Sequence, residues 1–321
     1  MRAVVHTRYG GPEVLELTDV PKPELKDDGI LVRVHHVSLN ALDWHGMRGE
    51  PVIARVAMGW RRPSTLIPGV DMAGVVEAVG KDVTAFQPGD EVFANKGRAC
   101  AEYVAGPARL FAPKPTNLTL EEAAAIPAAG ISALQALRDK AAISSGQRVL
   151  INGGTGGVGT FSVQLACWLG AEVTVVTTGP DDGLLASLGA HRVIDRTATQ
   201  VAAWGDGYDV VIDNGGTPSL RSLAARLVPG GTLILVGAAP GRWVAALTRI
   251  IAARVLSRVT GKRLLGFLAH PVQADLLVLK ELAEAGHVRP IIDRRYQLEE
   301  IREAMAYLET LGARGKIVLT V

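Results

Sequence analysis

The chain has 321 residues, longer than one compact core usually serves, so two domains are expected. Hydrophobic residues make up 48% and charged residues 21%, with no long polar tract, which excludes a disordered chain. Lys and Arg total 34 against 32 acidic residues and are spread along the chain, so neither nucleic acid nor an acidic membrane surface is implied as a partner.

Only two cysteines occur, Cys100 and Cys167, without C-x-x-C spacing, so no disulfide framework or zinc knuckle is suggested. There is no charged-then-apolar leader and no run of about 18 uncharged apolar residues. The expectation is a soluble, cytoplasmic protein that is not exported.

From residue 1 to about 120 the chain shows short alternating or β-branched runs, at 30–34, 74–79 and 91–93. Turn residues such as Pro12, Pro21, Pro23, Pro68-Gly69 and Pro88-Gly89-Asp90 separate them, so this portion reads as mainly β. At Thr119-Leu120-Glu121-Glu122 a capping box opens a helix and the architecture changes. Strands then alternate with helices, at 148–152, 172–177, 191–194, 209–213 and 232–236. Their near-continuous apolar character predicts a doubly wound parallel sheet. The arginine-bearing stretch 242–263 reads as an amphipathic helix. A helix at 271–285, a strand at 290–294, a helix at 298–311 and a strand at 316–321 end the chain and return to the first domain.

Strand 149–152 runs into Gly153-Gly154-Thr155-Gly156-Gly157-Val158-Gly159 and then an apolar-faced helix. Gly154, Gly156 and Gly159 satisfy G-x-G-x-x-G in the strand-turn-helix context that gives the pattern meaning. One glycine permits the turn, one admits the pyrophosphate and one lets helix and strand pack, while free N–H groups and the helix dipole face the anion. The next strand ends in Thr177-Thr178-Gly179 where an NAD-selective site usually carries Asp or Glu. Small hydroxyls leave room for a 2′-phosphate, and Arg196 is the expected cation for it. Asp181 and Asp182 stand against NADP if they face that phosphate, so NADP(H) is favoured over NAD(H) without being fixed.

The whole chain resembles the medium-chain dehydrogenase/reductase superfamily, in its zinc-independent quinone oxidoreductase branch. The carrying motifs are Gly10-Gly11-Pro12-Glu13-Val14-Leu15, Asn40-Ala41-Leu42-Asp43-Trp44 and Pro68-Gly69-Val70-Asp71-Met72-Ala73-Gly74. Gly89-Asp90-Glu91-Val92-Phe93, Ala101-Glu102-Tyr103-Val104, Gly130-Ile131-Ser132-Ala133, the glycine turn and Arg314-Gly315-Lys316-Ile317-Val318-Leu319 follow in order. The resemblance implies an α/β protein: a β-rich GroES-like catalytic domain from 1–121 and 265–321, and a Rossmann doubly wound parallel sheet domain at 122–264. It implies a cofactor in the cleft between them, substrate opposite the nicotinamide, and a possible homodimer. Zinc alcohol dehydrogenases of the superfamily place a cysteine at Asn40 and Gly-His-Glu at Gly69-Val70-Asp71, and the cysteines of their structural zinc lobe are missing. Adjacent His35 and His36 point to opposite faces of a strand, so no metal site is expected.

Without a Lewis acid, the reaction that fits is hydride transfer from NADPH to a quinone or an α,β-unsaturated carbonyl, with the protein orienting the acceptor and donating hydrogen bonds to its oxygen. Asn40 is the first candidate for that donor, with capping of a turn as the alternative. Asp43 either helps relay a proton or caps a helix. Tyr103 reads as a buried core tyrosine. For the cofactor the resemblance suggests Ser132 near the nicotinamide, Asn214 and Val236-Gly237 at strand ends, and Lys316 near the phosphates. Cys100 and Arg196 stand where the family often has an aromatic residue and a tyrosine. Two other classes remain open: a non-catalytic NADPH-binding regulatory or structural protein, and a zinc alcohol dehydrogenase.

Overall fold

In the computed structural model the described residues are 1–50, 52, 55–179, 181–236 and 244–321, with the side chains of 57, 244–248 and 250 outside the description. The chain divides into two compact units, Met1–Ile131 with Pro271–Val321, and Ser132–His270.

In the first unit the strands are β1 (Arg2–Val5), β2 (Glu16–Asp19), β3 (Gly29–Leu39), β4 (Asp71–Val79), β5 (Glu91–Asn95), β6 (Tyr103–Pro107) and β7 (Phe111–Pro113). The second unit contributes β8 (Arg148–Asn152), β9 (Glu172–Thr177), β10 (Arg192–Asp195), β11 (Tyr208–Asp213), β12 (Leu227–Leu235) and β13 (Arg263–Gly266), and β14 (Ile292–Gln297) and β15 (Lys316–Thr320) return to the first. The helices are α1 (Ala41–Arg48), α2 (Arg55–Met58), α3 (Leu120–Ala124), α4 (Pro127–Leu134), α5 (Gly157–Trp168), α6 (Leu184–Ser187), α7 (Leu220–Ala225), α8 (Val244–Thr260), α9 (Gln273–Glu284) and α10 (Ile301–Glu309).

The first unit is a mixed sheet in the order β14-β15-β3-β4-β5-β7, with β6 also paired to β3 and a separate β1-β2 ladder. Strand alternation sends Ile30, Val32, Val34, Val76, Val92 and Ile317 into one core, closed by Leu298, Ile301 and Met305 around α10. Register fixes the candidate site. Ser38 lies opposite Asp71, Asp71 lies opposite Asn95, and Ile317 pairs with Leu39, so four distant segments meet at one sheet end. The capped helix α3 packs on β3 and β4, and the first boundary therefore falls after residue 131 instead of at 121. The second boundary likewise moves from 264 to 270.

The second unit is a six-stranded parallel sheet in the order β10-β9-β8-β11-β12-β13. The order reverses between β8 and β11, the switch point at which such sheets open a crevice beyond their carboxyl ends. Those ends are level: Asn152 pairs with Val176 and Asp213, Thr177 with Asp195, and Asp213 with Leu235. Near-continuous apolar strands are buried by helices, as the sequence predicts; Val149, Leu150, Ile151, Val211, Ile212 and Leu233 are fully inaccessible.

Stretch 242–263 is helical from Val244 to Thr260 and then enters β13. Its amphipathic character is incomplete, since Ile251, Val255 and Val259 are 52, 54 and 78% exposed while Ala253 is buried. Tyr103, on β6 beside β3, is half-buried instead of a core residue, and the Lys22 ammonium lies 3.7 Å from its ring centroid.

Candidate active site

At the end of β3, Asn40 precedes α1 and Asp43 occupies its first turn. The Asp43 carboxylate accepts from the backbone N–H of Asn40 at 2.8 Å and from that of Gly69 at 3.0 Å. It thus closes the helix start and pins the 68–70 turn, so the capping reading describes it and a free relay group does not. Burial pushes its carboxyl up to about 7; the backbone bond from Asn40 opposes, nearby Asp71 adds to the rise, and Lys316 and Gly69 oppose.

Asp71, fully buried, is the hub of the cluster. Oδ1 accepts from Asn95 Nδ2 at 2.8 Å and from the Ala128 N–H at 2.9 Å, and Oδ2 accepts from Asn40 Nδ2 at 2.9 Å. Lys316 Nζ lies 3.6 Å from Oδ2, donates to Leu39 O at 3.1 Å and donates to Asn40 Oδ1. Burial draws Asp71 up and Lys316 down, and the attraction between them opposes both shifts.

Two expectations change here. Lys316 does not extend to phosphates: it is 2% exposed and its ammonium is turned to Asp71, Asn40 and Leu39. Both amide hydrogens of Asn40 are engaged, one by Asp71 and one by Ser38 O at 3.1 Å, so a donor to a substrate oxygen is available only by exchange. Cys100 is also buried, and burial raises its thiol well above the ordinary range, with Asp43 adding to the effect. Among the described residues no group of three His, Cys, Asp or Glu side chains is placed to hold a metal ion.

In the second unit the glycine turn has the shape of a cradle. A Cβ at Gly154 would lie 2.0 Å from Val175 Cγ1, and one at Gly159 would lie 2.1 Å from Gly153 O, so both glycines let strand, turn and helix meet. At Gly156 the nearest atom would be 3.9 Å away, and that side of the turn is open. Gly156 is the N-cap of α5 and makes no side-chain cap, so no cap side chain takes up the first-turn N–H groups at the positive end of this 12-residue helix. Thr155 is half-buried at the tip of the turn.

Around that turn, Asn152 Oδ1 and both amide atoms of Asn214 are buried without a partner among the described residues. These are polar atoms left for a ligand, and with the open turn they fit a dinucleotide. Thr177 is buried and Thr178 exposed, so Thr178 alone presents its side chain at this strand end. Asp181 and Asp182 accept from the N–H groups of Leu185 and Leu184 at 3.3 and 3.4 Å, turning them toward the start of α6. Arg196 donates to the Thr217 hydroxyl, and both line a cavity of about 480 Å³ with Val201 and Trp204. The Val236 N–H donates to Asp213 O at 3.1 Å, Ser132 is half-buried in α4, and Gly237 lies outside the described residues.

Asp71, Asn95, Asn152, Asp213 and Arg249 had no assigned role in the sequence. Asp71 carried a faint signal, standing where the zinc enzymes have an acidic residue after their histidine. Asn95 and Arg249 carried none.

The chain matches the alcohol dehydrogenase GroES-like domain family over residues 26–134 and the zinc-binding dehydrogenase family over 188–319. It is 32% identical to the NADPH-dependent alkenal/one oxidoreductase of Arabidopsis thaliana, over 99% of this chain and 79% of that one. It is 30% identical to the quinone oxidoreductase of Homo sapiens, over 99% of this chain and 97% of the relative. The quinone oxidoreductase structure from Coxiella burnetii superposes with a TM-score of 0.87 at 31% identity, covering 100% of this chain and 99% of that one. The chain belongs to the medium-chain dehydrogenase/reductase superfamily, in its quinone oxidoreductase-like branch.

Proposed function

We propose that the chain is an NADPH-dependent reductase that delivers hydride to a quinone or an α,β-unsaturated carbonyl without a protein-bound zinc ion. The observation that carries this reading is the glycine cradle with its uncapped helix start and three unpartnered buried amide atoms. The likeness to a human quinone oxidoreductase and an Arabidopsis NADPH-dependent alkenal/one oxidoreductase supports the acceptor classes and the coenzyme.

The bound coenzyme supplies the hydride. The backbone of Gly154, Thr155, Gly156, Gly157, Val158 and Gly159 receives the pyrophosphate. Arg196 pairs with the 2′-phosphate beside Thr178, and the Asn214 amide and the backbone near Val236 orient the remainder. Ser132 is assigned to the nicotinamide side on the family resemblance. Asn40 gives up its 3.1 Å bond to Ser38 O and donates to the acceptor oxygen, a better acceptor than a neutral carbonyl once it gains charge. Asp43, Asp71 and Lys316 are positioning residues that hold Asn40.

The reading extends to a cytosolic homodimer. No helix among the described residues is long and apolar enough to cross a membrane, and the free thiols of Cys100 and Cys167 suit a reducing compartment. β13 is an edge strand of the parallel sheet, and Ile251, Val255 and Val259 expose an apolar stripe on the neighbouring α8, a face suited to a second copy.

The test is oxidation of NADPH, followed by the absorbance of the reduced nicotinamide, with a panel of quinones and enones. Turnover with at least one acceptor class is expected. Absence of turnover above background with every acceptor sinks the reading, and tight NADPH binding without turnover would point to a regulatory nucleotide-binding protein.

A further inference from the structure

Arg249 lies on α8, nearly a hundred residues beyond the glycine turn, in a stretch whose pattern reads as an ordinary helix. Its guanidinium is nonetheless committed to the crevice end of the sheet. Nη2 donates to Asp213 Oδ2 at 2.6 Å, while Nη1 donates to Gly216 O at 2.6 Å and Pro218 O at 3.0 Å. One rigid fork therefore holds the loop after β11 at its strand end and at the two carbonyls that bracket Thr217.

The loop is fixed on its other side as well. Asp213 Oδ1 accepts from Asn152 Nδ2 at 2.7 Å and from the Gly216 N–H at 2.9 Å. A Cβ at Gly153 would lie 3.0 Å from the Gly215 nitrogen, so loop and glycine turn are in contact. The loop presents Asn214, whose amide atoms are buried without partners among the described residues, and Thr217, whose hydroxyl accepts from Arg196. Arg196 spends one of its five N–H donors on that bond and keeps a fork for an anion.

We propose that Arg249 is a positioning residue for coenzyme selection: it clamps the loop after β11 so that Thr217 holds Arg196 ready for a 2′-phosphate. This rests on the NADPH reading above. A long arginine side chain loses rotamer freedom when it grips a phosphate, and a partner that already orders it removes part of that cost from binding. The contribution falls on the phosphorylated coenzyme, because NADH presents no 2′-phosphate to Arg196.

The test compares the dissociation constants of NADPH and NADH, from coenzyme fluorescence, for the wild type, Thr217→Val and Arg249→Lys. Thr217 is exposed and valine is nearly isosteric, so that variant leaves the fold intact; lysine at 249 keeps a cation for Asp213 but lacks the fork. Each substitution is expected to cut the NADPH-over-NADH preference by about tenfold, mainly through NADPH. Folded variants that weaken both coenzymes equally, or neither, overturn the clamp and leave the NADPH reading intact. A wild type that prefers NADH, or binds neither coenzyme, overturns both.

Discussion

Asp71 and Asp213 are both fully buried carboxylates at strand ends, and each faces one cation, Lys316 or Arg249. What surrounds them differs. Around Asp71 the amides of Asn40 and Asn95, the Ala128 N–H and the Lys316 ammonium close on one another. Around Asp213 the network stops short and leaves Asn152 Oδ1 and the Asn214 amide unmatched. An unmade hydrogen bond on a buried polar atom costs about 1–3 kcal/mol, so three in one corner mark a place that a ligand completes. The first network builds a unit, and the second receives something.

The largest effect should come from breaking the closed network. Lys316→Met leaves Asp71 buried without its cation, and a loss of about 3–5 kcal/mol in unfolding free energy is expected. The double variant Lys316→Met with Asp71→Asn removes both charges and should recover most of that loss. Denaturant melts of both variants decide it: a single variant as stable as the wild type would show that Asp71 does not need the charge.

Next is the pH response of Asp43. Its carboxyl is pushed from 3.8 to about 7 in the folded chain, chiefly by burial. The native state therefore holds a proton that the unfolded chain has released, and stability falls as pH rises from about 4 to about 7, then levels. The loss expected over that window is on the order of 4 kcal/mol, with Asp71, Lys316 and Cys100 facing the same group. Asp43→Asn should flatten the slope; an unchanged slope would place the titration elsewhere.

On the open side, Gly159→Ala drives a methyl into Gly153 O and forces the turn to move. NADPH affinity should fall on the order of 100-fold, about 2.7 kcal/mol, by fluorescence titration. A smaller loss at Gly156→Ala would place the pyrophosphate away from the open side of the turn, where that methyl meets nothing nearer than 3.9 Å.

The glycine turn beside the open network was far more legible in sequence than the contacts of either network, and the reason is range. Strand β8, the glycine turn, the start of α5 and strand β9 are consecutive, and their roles follow from local spacing and backbone freedom. Asp71 meets Asn40, Asn95 and Lys316 only through the registers of β3, β4, β5 and β15, which no local pattern encodes. Lys316 was misplaced for that reason, its charge suggesting phosphate when the sheet buries it against a carboxylate. Arg249 was hidden differently. One of several arginines among apolar residues at helical spacing looks like part of a solvated face until the loop it holds is seen.

The smallest expected effect bears on whether the closed network also does chemistry. Asn40 and Asn95 each donate to Asp71, at 2.9 and 2.8 Å, so replacing either with alanine removes one bond from the hub and should cost similar stability. Only Asn40 has a second donor resting on the weaker acceptor Ser38 O, the bond that a charged substrate oxygen would displace. Asn40→Ala should therefore lower kcat at saturating NADPH by about tenfold, about 1.4 kcal/mol, with coenzyme affinity unchanged. Asn95→Ala should lose comparable stability with kcat within about twofold. If the two variants lose kcat in equal measure, the drop follows from a loosened hub, and Asn40 is a structural residue like its neighbour.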